Sequence, residues 1–167
     1  FKNVMMNTIC LNVLELVITF PIPILFALLL NELRSSKFRR VVQTCTYFPY
    51  FISWVVYGGI VLAFLSSDGG FINNILSQLG LIDNSITFMS NPDYFYAIVI
   101  VSSAIKGTGW GSVIYVAAIT GVDPQIYEAA RIDGAGRWKQ SLHVTLPGIS
   151  STIIILLILR MGSVMSV

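Results

Sequence analysis

Residues 41–66 read VVQTCTYFPYFISWVVYGGIVLAFLS, without a single charged side chain. A helix rises 1.5 Å per residue, so about 20 apolar residues cross the hydrocarbon core of a bilayer. This run is long enough, and its solvent is lipid. The rest of the chain agrees. Of its 167 residues, 55% are hydrophobic and 11% are charged, and the mean hydropathy is +0.79. An ordinary soluble domain carries about a quarter charged residues. Ten basic and eight acidic side chains do not wet a soluble particle with this much apolar area. The composition excludes a disordered chain, a collagen-like chain and a nucleic-acid-binding domain held on by charge. It also argues against a soluble globular enzyme. The length fits one domain.

Three further segments are long and apolar enough to span. Residues 4–31 contain Glu15 and the Pro21/Pro23 pair, which is expected to kink or break the helix. Residues 94–122 contain only Lys106 as a charge, and residues 147–167 only Arg160. The expected fold is therefore all-α, a polytopic membrane helical bundle of about four spans. The third segment holds Lys106-Gly107-Thr108-Gly109-Trp110-Gly111 at its middle. Each glycine costs a helix interior about 1 kcal/mol. Split there, neither half would be long enough to cross, so one pass with a weak or bent centre is expected.

Loop charges orient the bundle. The stretch 33–40 contains Arg34, Lys37, Arg39 and Arg40, and 123–139 contains Arg131, Arg137 and Lys139. Between them, 67–93 has Asp68, Asp83 and Asp93 and no basic residue. The positive-inside rule places the first two in the cytoplasm and the third outside, as four single passes require. In the outer loop, Phe71, Ile72, Ile75, Leu76 and Leu79 follow a helical period. Gly80 sits where a helix end wants it, which predicts a short interfacial helix. The chain starts at Phe1 and stops inside an apolar run, so it reads as a piece of a longer protein. The first apolar stretch is too long for a signal peptide and carries Glu15. Cys10 and Cys45 both lie in apolar runs and are expected to be free buried thiols.

The loop before the fourth segment, residues 123–146, carries helix punctuation. Asp123 suits the N-cap, Pro124 the first helical position and Gly134 a left-handed C-terminal turn. A helix of about ten residues is marginal alone in water, so the membrane domain or a partner must hold it. Ile126 and Ala130 share a face, as do Tyr127 and Ala130. Glu128 and Arg131 are spaced for an i, i+3 pair. Arg137, Trp138 and Lys139 open a second amphipathic stretch that ends at Leu146-Pro147. Such a surface suits protein docking, or else the plane of the lipid headgroups.

These residues resemble a known family. Glu128-Ala129-Ala130, three residues, Gly134, nine residues, then Val144, Thr145 and Leu146-Pro147 is similar to the EAA loop of ATP-binding-cassette (ABC) importer permeases. The one departure is Val144, where the family pattern has Ile. Ile132-Asp133-Gly134-Ala135 and Gln140 resemble the carbohydrate-uptake branch. So do Asn7-Thr8, Phe38-Arg39-Arg40 and Trp110-Gly111, and the oligosaccharide and polysaccharide permeases are the nearest group. The resemblance covers essentially the whole chain and lacks the first and last of the usual six spans. It implies the transmembrane domain of a type I importer in a bacterial plasma membrane. In this family the loop forms a coupling helix that seats in a cytoplasmic ATPase subunit. Tyr127, Glu128, Ala129, Ala130, Asp133 and Gly134 would then be the docking residues, and Leu146-Pro147 a stiff joint to the next span. The implied partners are the ATP-binding subunits, a second permease (a heterodimer) and an extracellular substrate-binding lipoprotein. No nucleic acid is implied. The chain would bind no cofactor or metal itself, ATP and Mg belonging to the ATPase.

Candidates for the solute path are the charges inside spans, which are costly and often functional. Glu15 lines the path or is a paired carboxylate in a helix interior. Lys106 lies beside three glycines and Trp110, whose face suits a sugar ring, although packing through small residues explains the same pattern. Arg160 faces the path or snorkels outward. His143, the only histidine, has no second ligand near it in sequence. A secondary transporter would need an ion site made from intramembrane carboxylates, and Glu15 is the only one. An intramembrane hydrolase would need Ser112 and His143 as a dyad, without the usual motif around them. The sequence contains no phosphate-cradling Gly-x4-Gly-Lys-Ser/Thr loop. The purified chain alone should therefore hydrolyse ATP at background rate. Turnover that depends on its own residues would overturn this reading.

Overall fold

The computed structural model describes residues 2–164, and these are helical with no strand among them. Helix α1 (Lys2–Thr19) runs into α2 (Pro21–Glu32). Pro21 and Pro23 fall in the first turn of α2, where missing N–H groups cost least. Phe20, the junction of α1 and α2, keeps helical dihedrals (φ −68°, ψ −43°). Val4–Glu32 is therefore one apolar stretch long enough to span, and the proline pair breaks the helix only locally.

The second segment differs from the single span expected over 41–66. It starts earlier, as α3 (Ser36–Phe51), and is broken from α4 (Trp54–Leu65) by a bend of 104°. The break is local chemistry. Pro49 cannot donate within the last turn of α3, and Ile52 turns to extended dihedrals. Ser53 then caps α4, its Oγ accepting from Val56 N at 3.3 Å. Helix α5 (Phe71–Gln78), in the acidic loop, has nearly the expected bounds. Gly80 (φ +68°) closes it, with Leu81 N donating to Leu76 O and Gly80 N to Ser77 O, both at 3.0 Å. Buried Asn73 pins the loop: its amide donates to Ser66 O (2.9 Å) and Ile86 O (3.0 Å) and accepts from Ile86 N (2.9 Å).

A 3₁₀ turn (Pro92–Tyr94) leads into α6 (Phe95–Thr120), which continues through all three glycines. The expected weak centre is absent because two of the glycines serve close packing. A Cβ on Gly109 would lie 2.1 Å from the Thr46 carbonyl oxygen of α3. On Gly111 it would lie 3.2 Å from the Pro23 ring of α2. α6 is thus the central post, packed against α1, α2, α3 and α10. α7 (Pro124–Ile132) and α8 (Arg137–Gln140) follow. A π-helical turn (Ser141–Thr145) and α9 (Leu146–Gly148) then lead to α10 (Ser150–Val164). The fourth segment is also bent, by 59° between Arg137–Gly148 and Ser150–Gly162. The bend falls at Ile149, two residues past Pro147. Residues 165–167 of the expected fourth span lie outside the described residues.

The core joins Ile24, Ala27 and Leu28 of α2 to Tyr115 and Ile119 of α6 and to Ile149. Outside it the surface is apolar: Val55 is 85% exposed and Phe51 70%. Cys10 and Cys45 are free but exposed on this chain rather than buried, since an apolar run in a lipid-facing helix points outward as often as inward. Two stretches, Val4–Glu32 and Pro92–Thr120, are long and apolar enough to cross, and up to four segments are if each bent pair is one span.

The contact at Gly109 sets a test. Gly109→Ala drives a Cβ into backbone that cannot swing away, and overpacking of this kind costs about 1–3 kcal/mol. The melting temperature of the detergent-solubilised protein should fall. Gly58→Ala, with open space at its Cβ position, should leave it unchanged or raise it.

Candidate functional site

Two regions of the structure gather the residues singled out by sequence. The first is α7 and its supports. Asp123 Oδ1 accepts from Gln125 N at 2.9 Å, and Pro124 takes the first helical position. At the other end Gly134 (φ +76°) makes a left-handed turn. Its N donates to Arg131 O at 3.0 Å, and Ala135 N donates to Ala130 O at 2.9 Å. Both helix ends are therefore closed by local bonds. Glu128, Ala129, Arg131, Ile132 and Asp133 are exposed, and Ala130 is half-buried. Glu128 and Arg131 form no ion pair among the described residues, contrary to what their spacing allows. Both side chains are free to meet something else.

Behind α7, Tyr127 turns inward. Its hydroxyl pairs with Thr145 Oγ1 at 2.9 Å, and Thr145 is 1% exposed. Gln140 Nε2 donates to Ala135 O at 2.7 Å and ties the chain after Gly134 back to α8. Ser141 is also 1% exposed, and its Oγ donates to Glu32 Oε1 at 2.6 Å. Arg137 Nε lies 3.4 Å from Glu32 Oε2. Leu146 packs against the core, while Pro147 is exposed. Glu32, Ser141 and Thr145 were missed by sequence reasoning. The signal that Glu32 offered was a lone carboxylate at the end of an apolar helix, just before a basic loop.

The second region is a cavity of about 670 Å³ beside the break in the second segment. Glu15, Tyr50, Phe51, Trp54, Lys106 and Arg160 are among its lining residues. Glu15 and Arg160 face each other across it, Oε1 to Nη2 at 3.4 Å, joining α1 to α10. The carboxylate is thus paired, and it lines the cavity. Lys106 is 5% exposed and is anchored. Its ammonium donates to Pro49 O (2.9 Å), Tyr50 O (3.3 Å) and Ile52 O, the open carbonyl end of α3. The rings of Trp54 and Tyr57 lie 5.0 and 5.3 Å from it. Trp110 is not on the cavity wall. It backs the wall, stacked on Tyr50 (centroids 5.0 Å apart, 11° between planes) and edge-on to Phe51 at 5.7 Å.

Two rival arrangements are not assembled. Ser112 is fully buried and donates to Gly109 O of its own helix at 2.7 Å, whereas exposed His143 bonds to Lys139 O at 3.1 Å. No cluster of metal-ligating side chains occurs among the described residues.

Residues 9–166 match the binding-protein-dependent transport system inner membrane components. The chain belongs to that family. It is 46% identical, over 97% of its length, to the polygalacturonan/rhamnogalacturonan transport system permease protein YteP of Bacillus subtilis. It is 44% identical over 98% to the protein LplB of the same organism. These matches cover 50% and 51% of those proteins, so the chain spans about half the length of the curated relatives it matches. Among solved structures, it superposes on a chain of a bacterial ABC transporter involved in the import of the acidic polysaccharide alginate. The TM-score is 0.91 at 43% identity, covering 96% of this chain and 56% of that one. The same match holds for that transporter in complex with alginate pentasaccharide-bound periplasmic protein. The fold is therefore that of an ABC importer transmembrane domain, and the chain is a membrane component.

Lys106 gives the next test. Lys106→Met keeps the stem but takes the donor from the carbonyls of Pro49, Tyr50 and Ile52, at about 1–3 kcal/mol for each left unpaired. The detergent-solubilised variant should melt well below the wild type. The loss should exceed that of Trp110→Leu, whose ring only backs the wall. Equal melting temperatures for Lys106→Met and wild type would remove the structural role assigned to the ammonium.

Proposed function

We propose that the chain is the membrane path of one permease subunit in an ATP-driven importer of sugar oligomers. The observation that carries the reading is α7. It is a short helix closed at both ends, tied to the bundle by Tyr127, with Glu128, Ala129 and Asp133 facing outward. Preorganisation of this kind lowers the ordering cost of docking. Small Ala129 and Ala130 permit close backbone approach, and Glu128 supplies a charge for a basic or polar group on the partner. In this reading α7 is the cytoplasmic coupling helix, and the loops holding Arg34–Arg40 and Arg131–Lys139 face the cytoplasm with it. Two ATPase subunits bind the nucleotide and Mg, and this chain carries out no hydrolysis and holds no cofactor. ATP binding draws two coupling helices together and shifts the bundle from inward-facing to outward-facing, a population shift driven from another subunit. A second, different permease chain supplies the other half of the path. A binding lipoprotein delivers the solute from outside, in a bacterial plasma membrane.

The cavity supports a sugar as the solute. Tyr50, Phe51 and Trp54 offer flat apolar faces on its wall, and Glu15 and Arg160 offer polar edges. YteP is named for a polygalacturonan/rhamnogalacturonan transport system and the solved transporter for alginate import, so an acidic oligosaccharide is the substrate class proposed. Arg160 is the group that would meet its carboxylate.

Gly134 provides the test. Nothing surrounds its Cβ position, so a side chain there acts only through the left-handed backbone, at about 1–2 kcal/mol. Gly134→Val should displace the end of α7 and cut ATP-dependent uptake of a labelled oligogalacturonate about tenfold. The amount of protein in the membrane should not change. Wild-type uptake in this variant would refute the docking role of α7.

A further inference from the structure

The π-helical turn Ser141–Thr145 lies between α7 and the fourth membrane segment. Turns of this type are rare and concentrate at functional sites. Here the widened turn buries two hydroxyls, Ser141 and Thr145, each 1% exposed. The two reach in different directions. Thr145 pairs with Tyr127 of the proposed coupling helix at 2.9 Å. Ser141 donates to Glu32, the last residue of α2, at 2.6 Å. The same carboxylate is gripped by Arg137 at 3.4 Å from the start of α8. One turn of helix therefore holds α7 on one side and the end of the first membrane segment on the other.

We propose that Glu32 is a positioning residue that latches α2 to the coupling region, so that α7, the π turn and α2 move as one body. The proposal rests on the transport reading above. A pull on α7 passes through Tyr127 to Thr145, along the turn to Ser141, and through the carboxylate into α2. α2 in turn packs on α6 through Ile24, Ala27 and Leu28, so the movement reaches the central post. Side-chain exposure is 27% for Glu32 and 55% for Arg137. The arginine contact is thus the wetter and weaker half, and the bond from buried Ser141 is the grip. Without the latch, the end of α2 is held to the coupling region only through apolar packing, which permits sliding.

The test uses the complete importer, with its ATPase subunits, second permease and binding protein, in lipid vesicles. Cys10 and Cys45 are replaced by serine. Spin labels are placed at exposed Gln125 in α7 and exposed Leu29 in α2. The distance between them is measured with and without trapping by ATP and vanadate, and a label pair between α7 and the ATPase reports nucleotide-driven movement. In the wild type the ATPase pair should respond while the Gln125–Leu29 distance stays fixed. In Glu32→Ala the Gln125–Leu29 distance should shift on trapping, with basal ATP hydrolysis retained. That combination separates a lost latch from a misfolded chain. Glu32→Gln keeps an acceptor for Ser141 and should restore the fixed distance. A fixed distance in Glu32→Ala would overturn the latch and leave the transport reading standing. A glutamine variant as loose as the alanine one would overturn Ser141 as the gripping partner. A wild-type importer whose labels never respond to ATP would overturn the transport reading and the latch with it.

Discussion

The ammonium of Lys106 closes a helix that ends in the middle of a membrane segment. A helix terminus leaves carbonyls without partners, and lipid offers none. A broken span is therefore possible only where the protein itself supplies donors. Lys106 supplies three hydrogen bonds, to Pro49, Tyr50 and Ile52, and Ser53 closes the start of the next helix. The ammonium reaches them because α3 lies against α6 at Gly109, where a methyl group would already collide. Close approach, capping and the 104° bend are one arrangement. The cavity follows from it, since a helix that turns away opens space that Tyr50, Phe51 and Trp54 then line.

The α7 end of the bundle closes its helix termini by other means. α7 has nine residues, too few to persist alone. Every open backbone group that its caps can serve is served, by Asp123 at the start and by the Gly134 turn at the end. Tyr127 and Gln140 then fasten the motif to the bundle. What remains outward includes Ile126, Glu128, Ala129, Arg131, Ile132 and Asp133, with Ala130 half-buried. A helix already ordered before contact loses little entropy on docking, and a firm tether lets displacement pass inward rather than dissipate.

Much of this was legible in the sequence, for reasons that are local. Hydrophobic length marks membrane segments, and caps mark helix ends. Asp123-Pro124 and Gly134 bounded α7, and Gly80 closed α5. Features that depend on a distant partner were hidden. The carbonyls that hold Lys106 lie more than fifty positions away in the chain. Three glycines in five residues look like a weak helix until α3 and α2 are seen packed against two of them. The break at Ile52 and Ser53 sits inside an uncharged run, where a serine is easily taken for one more small residue. Glu128 and Arg131 have the spacing of a pair but sit in water, where such a pair gains little. Glu32 lies just past the span read as 4–31 and drew no reading; its contacts with Arg137 and Ser141, more than a hundred positions away, appear only in the folded chain.

The placement of charge also bears on where the driving force enters. A secondary transporter couples an ion gradient through a carboxylate that can take up and release the ion inside the membrane. Glu15 is the only acidic residue in the interior of a membrane segment of this chain, and it is already matched by Arg160 across the cavity. Lys106 is occupied with carbonyls. The cavity wall thus contains ring faces and a matched ion pair rather than an ion site in waiting. α7 presents an ordered polar surface at the far end of a chain of hydroxyl and carboxylate bonds. A load applied there has a bonded route inward, through Thr145 and Ser141 to Glu32, and the proposed coupling at α7 rests on that asymmetry.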